Sequence, residues 1–391
     1  MDNSQPKASG LFLLNCSFIL IGICTTILGP ILPALSLRWN LNDAHAGSLF
    51  TAQFIGSSLG GILAALHPFK STVFGFITVA LGLILLTAAG PLTAMPLLFL
   101  YGLGVGLVLT GINLTVSSIA GRNRGTALSW LNFCWSLGAT ICPLVAAIFI
   151  GRHLLTMFLL ILPVACVCMA ILIGLQGNLN ATTLAPSAKP TERSSRSMRF
   201  FVGYFAALLF LYVGIETALG GWLSTLATRL PHPAIMGAFV ISASSFFWFA
   251  LLVGRGVSPL LLKFIPETRL QPFAVMSSVA FICLLLVARS YTDIAIASSL
   301  VGFSLAPVFP LSLSFFLSHA DQSKSAGVVF AICGLGGAVL PWLTGAASTY
   351  RHSLQWGLSI PLVAALFMLA LSVYYVFFIR VRTSRGSSLT T

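Results

Sequence analysis

The chain has 391 residues, 58% of them hydrophobic and only 7% charged, with a mean hydropathy of +1.01. A soluble domain carries roughly 25% charged residues, so this composition excludes a soluble globular fold and indicates an integral membrane protein. The net charge of +13 does not imply a nucleic-acid partner, because the basic residues fall singly between apolar runs and form no patch that could track phosphates.

In chain order, apolar runs lie near 10–35, 45–66, 71–90, 94–120, 125–150 and 154–176, then near 199–229, 235–254, 268–288, 291–318, 323–349 and 354–380. Each is about as long as the roughly 20 residues that a helix needs to cross about 30 Å of hydrocarbon. The first run is too long for a signal-peptide core and is expected to remain in the chain. Between the sixth and seventh runs, residues 177–198 are polar, basic and rich in Ser, Thr and Pro, which reads as a linker. The expectation is an all-α membrane protein of twelve transmembrane helices, with an N-terminal bundle over 1–176, a cytoplasmic linker over 177–198 and a C-terminal bundle over 199–391.

Orientation follows from the bias of Lys and Arg towards cytoplasmic loops. With the N-terminus inside, only Arg38, Arg152, Arg229, Arg289 and Arg351 of the 20 basic residues fall outside. Both termini and the linker are therefore expected in the cytoplasm, and the protein in the plasma (inner) membrane.

The two halves echo each other. Gly22-Ile-Cys-Thr25 in span 1 returns as Gly214-Ile-Glu-Thr217 in span 7. Leu137-Gly138 followed by Pro143 in span 5 returns as Leu335-Gly336 followed by Pro341 in span 11. Two matches at nearly one offset argue for a parallel repeat of six helices. This architecture resembles the major facilitator superfamily, a resemblance that implies a substrate site near the midplane between the halves and alternating access to it.

Within the spans, Gly102-x-Gly104-x-Gly106 has the spacing of a nucleotide fingerprint but no preceding strand, so it reads as helix packing. Pro143 and Pro341 lie inside spans, where a proline bends a helix and can serve gating. The eight cysteines form no CxxC pair, and no metal cluster, phosphate loop or catalytic triad is evident, so neither an enzyme nor a bound cofactor is expected. Gln53, Asn113 and Asn132 bring amides to bilayer depth, where they need partners. A helix–helix hydrogen bond would satisfy them, and so would a sugar. Trp135 shares a helix face with Asn132, and Tyr212 lies one turn before Glu216. Phe247 and Trp248 sit in span 8. Aromatic faces suit the C–H face of a pyranose ring.

Glu216 stands apart. It is the only charge between Phe201 and Arg229, and a charge at that depth must be paired, protonated or wet. The other six acids fall at span ends or in polar segments. Glu216 is therefore the expected proton carrier, with sodium the alternative ion; hard cations want several oxygens.

Tyr212-Val-Gly-Ile-Glu216 followed by Gly220-Gly-Trp222 is similar to the Y-x-G-x-E…G-W pattern of the fucose permease-like sugar transporters, the branch with bacterial glucose and mannose symporters and vertebrate sodium-dependent glucose transporter relatives. Phe247-Trp248…Gly254-Arg255, Ala306-Pro-Val-Phe-Pro310 and Gly336-Gly-Ala-Val-Leu-Pro341 extend the likeness. The resemblance implies symport of a hexose-type monosaccharide by a monomer, with Asn132 as a sugar-binding amide; the proton as coupling ion rests on Glu216 and not on the resemblance. The superfamily's Gly-x-x-x-Asp-Arg signature between spans 2 and 3 is absent, and Lys70 and Arg255 are expected to do part of its work at the inner gate. Where related permeases carry acids in spans 1 and 4, this chain has Pro30 and Leu109. A drug or metabolite exporter of the same fold is the competing reading, though Gly138-Ala-Thr-Ile-Cys-Pro143 lacks the tight Gly-Pro pair typical of exporters.

Overall fold

The structure, a computed structural model, describes residues 8–120, 124–176, 195–231, 234–319 and 324–387; most of the expected linker lies outside them. Among the described residues there is no strand. In the first half, α1 (Ala8–Thr26) and α2 (Leu28–Trp39) are followed by α3 (Asp43–Ala64), α4 (Pro68–Thr87), α5 (Pro91–Ile119), α6 (Arg124–Gly151) and α7 (Leu155–Leu175). The second half opens with α8 (Ser195–Arg229) and a 3-10 segment (Ala234–Ser242). It continues through α9 (Ala243–Leu261), α10 (Glu267–Leu286), α11 (Tyr291–Leu305), α12 (Val308–His319), α13 (Lys324–Arg351), α14 (Leu354–Gly357) and α15 (Ser359–Ser387).

Three expected spans are broken, each three or four residues before a proline. The first parts at Ile27 below Pro30, the tenth at Ala306 and Pro307 below Pro310, and the twelfth at Leu358 below Pro361. A proline ring clashes with the carbonyl four residues back and removes one hydrogen bond. Pro143 and Pro341 interrupt neither α6 nor α13.

Eleven stretches among the described residues are long and apolar enough to cross a bilayer. The remaining expected span is α3, whose 22 residues give it the needed length of about 33 Å. Its Ser, Gly and Gln residues lower its hydropathy, and it can carry them because it packs between α5 and α13.

The repeat is visible in the packing. In the first half α1 pairs with α6, α3 with α5 and α4 with α7. In the second, α8 pairs with α13, α9 with α11 and α10 with α15. The shared glycines explain the match. A Cβ on Gly22 would run into the Trp135 carbonyl, and one on Gly138 into that of Ile19; likewise Gly336 meets the Phe210 carbonyl and Gly214 closes on Leu340 and Gly336. Small residues allow helix backbones to approach in lipid, where apolar side chains alone give no drive to associate. Gly102 and Gly106 pack the same way against the carbonyls of Gln53 and Ser57, in keeping with their reading as packing residues.

The halves meet along α3 and α13, α6 and α9, and α2 and α8. The first two contacts are related by the repeat.

Candidate functional site

The central group is built on α8. Tyr212 and Glu216 lie one turn apart on its buried face; Tyr212 is fully enclosed and Glu216 nearly so. The Tyr212 hydroxyl donates to Glu216 Oε1 at 3.2 Å. Arg255 of α9 donates from Nη2 to the same oxygen at 3.0 Å, and its Nη2 lies 3.4 Å from the Tyr212 hydroxyl. The side chains of Arg255 and Glu216 are only 10% and 8% exposed. An isolated buried charge would cost several kcal/mol, and this ion pair removes most of that penalty.

Arg255 also reaches the other half. Its Nη1 donates to Ser136 Oγ on α6 at 2.7 Å, and its guanidinium lies 5.7 Å from the Trp135 ring centroid. Trp135 meets Trp248 of α9 edge to face at 5.6 Å. Phe247 backs Trp248 at 4.9 Å, and Trp248 lies over Gly220, where any Cβ would strike its ring. Phe309 packs on Tyr212 at 5.4 Å. On the far side, Trp135 Nε1 points to the Thr25 hydroxyl at 3.4 Å, and Gln53 Nε2 donates to the Thr25 carbonyl at 3.0 Å. A continuous polar and aromatic path thus runs from Gln53 through Thr25 and Trp135 to Arg255 and Glu216.

Two buried atoms on this path, Gln53 Oε1 and Arg255 Nε, have no hydrogen-bond partner among the described residues. Asn113 and Asn132 are part-buried, and their amides bond back to the carbonyls of Leu109 and Leu128 at 2.8 and 2.9 Å. The structure thus brings Gln53, Trp135, Tyr212, Glu216, Phe247 and Trp248 together, and leaves the two asparagines facing their own helices.

The two residues expected to act at the inner gate have different surroundings. Lys70 is exposed in the first turn of α4, whereas Arg255 is buried on Glu216. The apolar run ends at Gly254 because hydropathy treats the next charge as a boundary, but α9 continues to Leu261 and carries Arg255 inside. Pro341 lies where the halves meet: its carbonyl accepts from Trp222 Nε1 at 3.0 Å, and a Cβ on Gly47 would touch it at 3.1 Å.

A second polar group seals one end of the junction, and sequence reasoning missed it. At the rim, before the apolar part of α3, Asp43 takes a two-pronged bond from Arg229 of α8, at 2.6 and 2.8 Å. The hydroxyl of Ser348 on α13 donates to the same carboxylate, and the Ala44 amide donates to Thr349 Oγ1 at 2.8 Å. Deeper along this interface the Thr51 hydroxyl donates to the Ala338 carbonyl at 2.9 Å. Burial works against the Asp43 charge, but the Arg229 guanidinium and Ser348 hydroxyl outweigh it and hold the carboxyl below the ordinary carboxylate value. The available signal was that Asp43 and Arg229 carry opposite charges on segments assigned to the same side.

Two repeated six-helix bundles with a buried polar group at their junction define a membrane transporter of the alternating-access type. A sequence profile of the Major Facilitator Superfamily matches residues 14–341, and the chain belongs to that family. Among curated relatives it is similar to sodium-dependent glucose transporter 1 of Danio rerio, 23% identical across 85% of this chain and 63% of the relative; the chain thus spans less than two thirds of that protein. It is also similar to the glucose/mannose transporter GlcP of Bacillus subtilis (strain 168), 25% identical across 84% of this chain and 85% of the relative. Among solved structures, the major facilitator transporter FucP in its outward conformation superposes with a TM-score of 0.66 at 17% identity, covering 93% of this chain and 98% of FucP. A bacterial homologue of the lysosomal transporter Spinster, inward-facing and occupied, gives 0.71 at 13% identity, covering 96% and 97%. These structural likenesses bear on the fold.

Proposed function

We propose that this chain carries a hexose-type monosaccharide across the membrane by alternating access, in symport with a proton. The observation that carries the reading is the buried Glu216–Arg255–Tyr212 group packed against Trp135 and Trp248 where the halves meet. The names of the glucose and glucose/mannose transporters to which the chain is similar support the substrate class. A sugar hydroxyl both gives and takes hydrogen bonds, so it can satisfy Gln53 Oε1 and Glu216, with Asn113 and Asn132 turning their amides to the ligand and the indole rings covering its C–H face. Tyr212 and Phe247 support Glu216 and Trp248 from behind.

In this reading residues 1–176 and 199–391 rock against each other as a monomer in the inner membrane, with both termini and the linker 177–198 in the cytoplasm. The rim closed by Asp43 and Arg229 is then the outer one. Proton uptake by Glu216 removes its charge from Arg255 and loosens the link from Arg255 to Ser136, which ties substrate loading to the separation of α6 from α9. Pro143 and Pro341 serve as the points of flexure, and Lys70 remains at the cytoplasmic face.

Sodium is the second reading for the coupling ion, favoured by the name of the zebrafish relative. Uptake of labelled glucose and mannose into proteoliposomes under an imposed pH gradient, without sodium, separates the two. Accumulation that collapses with an uncoupler supports the proton. Accumulation only when sodium is present replaces it. Flux of lipophilic compounds with no hexose uptake under either gradient would sink the sugar reading and favour an exporter.

A further inference from the structure

We infer that Arg255 is a substrate-recognising residue, and that Arg255 Nε and Glu216 Oε2 form a donor–acceptor clamp for two adjacent hydroxyls of a neutral polyol. The inference rests on the proposed transport of a sugar and specifies which atoms read it.

Arg255 offers donors on three nitrogens. Nη1 is engaged by Ser136 and Nη2 by Glu216 and Tyr212. Nε is buried and has no acceptor among the described residues. A buried charged donor left unpaired is costly, and in a native structure it points to a partner that comes and goes. The position of Nε says where that partner sits. In a guanidinium, Nε–H and one Nη2–H project from the same edge of the planar fork, the edge that ordinarily grips both oxygens of a carboxylate. Here that grip is half made: Nη2 bonds Oε1 of Glu216, while Oε2 receives no bond from a described residue and is not among the sealed, unpartnered atoms. An unpaired donor and an unengaged acceptor therefore belong to a single ion pair.

This arrangement selects a ligand. A carboxylate or phosphate at Nε would face the charge of Glu216, and an ammonium at Oε2 would face that of Arg255. A neutral diol meets neither repulsion: one oxygen accepts from Nε while its neighbour donates to Oε2. The guanidinium lies against the Trp135 ring, which in turn meets Trp248 of the other half, so an apolar ring face can be covered beside the ion pair while its hydroxyls are read. The clamp also explains why this position requires arginine. Lysine would keep the charge on Glu216 but has no second donor in a fixed plane.

The test is equilibrium binding to the purified full-length protein in nanodiscs, followed by tryptophan fluorescence. The probes are D-glucose, its 2-, 3-, 4- and 6-deoxy analogues and myo-inositol. Wild-type protein is expected to lose about tenfold or more in affinity when either of two adjacent hydroxyls is removed, since each loss leaves a buried polar group unpaired. Removal of a distant hydroxyl is expected to change affinity by less than about threefold. Arg255→Lys should flatten the pattern, bringing glucose and the discriminated analogues within about twofold, with its melting temperature reported alongside. Should Arg255→Lys not fold, the neutral pair Glu216→Gln with Arg255→Gln is the second variant, and it should flatten the pattern equally. A variant that binds and keeps the wild-type pattern overturns the clamp. Wild-type protein that binds glucose with no adjacent pair of hydroxyls mattering also overturns it and leaves the sugar reading intact. Protein that binds neither hexose nor cyclitol overturns both.

Discussion

The rim contact predicts a specific shift between conformations. Asp43→Asn keeps the shape of the side chain and removes the charge that draws two N–H donors from Arg229. Charge-assisted hydrogen bonds are worth about 1.5–3 kcal/mol. Asp43 is only 11% exposed but Arg229 is 44% exposed, so solvent recovers part of the loss and about 1–2 kcal/mol remains. That energy belongs to the closed rim alone, since separating α3 from α8 and α13 breaks the bonds. The substitution should therefore raise the population open at this rim about 5- to 30-fold. Leu37 on α2 and Tyr350 on α13 are 87% and 80% exposed, on opposite halves at this end. Spin labels there, in a background lacking the exposed Cys168 and Cys283, would report the distance across the rim. Asp43→Asn should enlarge the long-distance fraction, and adding Arg229→Gln should add little, because both changes remove one interaction. An unchanged distance distribution, or fully additive effects, would refute the assignment of this pair as a latch.

The same pair fixes a pH response. Because the closed-state pKa of Asp43 is depressed, the stabilisation is fully present above the ordinary carboxylate value and is lost only as pH falls through the depressed one; the label distances should hold steady between about pH 5 and 8. Glu216→Gln should abolish gradient-driven accumulation of labelled hexose while sparing exchange, and intact accumulation would remove Glu216 from coupling. The same variant leaves Arg255 buried without its counter-charge, so thermal unfolding in detergent should reveal a loss of about 3 kcal/mol or more, with partial recovery on adding Arg255→Gln. Gly138→Leu and its repeat mate Gly336→Leu should both fail to give a monodisperse peak on size-exclusion chromatography, because each side chain would be driven into a carbonyl of the facing helix; a well-behaved Gly336→Leu would contradict the packing described. Trp248→Ala should weaken hexose binding by about 3- to 10-fold through the loss of one aromatic face, measured as a rise in KM with little change in kcat.

The parts of this protein written in short, local patterns are legible in its sequence. Span lengths follow from apolar runs. The repeat follows from small residues that must recur wherever two helices touch, which is why Gly22, Gly138, Gly214 and Gly336 mark it. Glu216 is conspicuous because nothing near it in the chain shares its charge. Its partner is not conspicuous: Arg255 lies 39 residues away on another helix, just beyond an apolar run that its own charge terminates. The rim pair is separated by 186 residues, and no local window connects them. Gln53, Trp135 and Trp248 could be named as polar or aromatic at depth, but that they meet depends on how the two halves close. The amides of Asn113 and Asn132 show the converse. Depth alone does not decide whether a polar side chain faces a cavity or bonds back to its own helix.

The ion pair at the pivot bears on how this carrier responds to voltage. Moving one elementary charge through the full membrane potential involves about 2.3 kcal/mol per 100 mV, enough to bias a rocking step strongly. Here the deepest acid travels with a resident cation 3.0 Å away, so the unloaded centre carries no net charge through the field. The reorientation of the empty protein should therefore be nearly silent in a current recording, with voltage dependence entering only at the step that brings an additional ion into the centre.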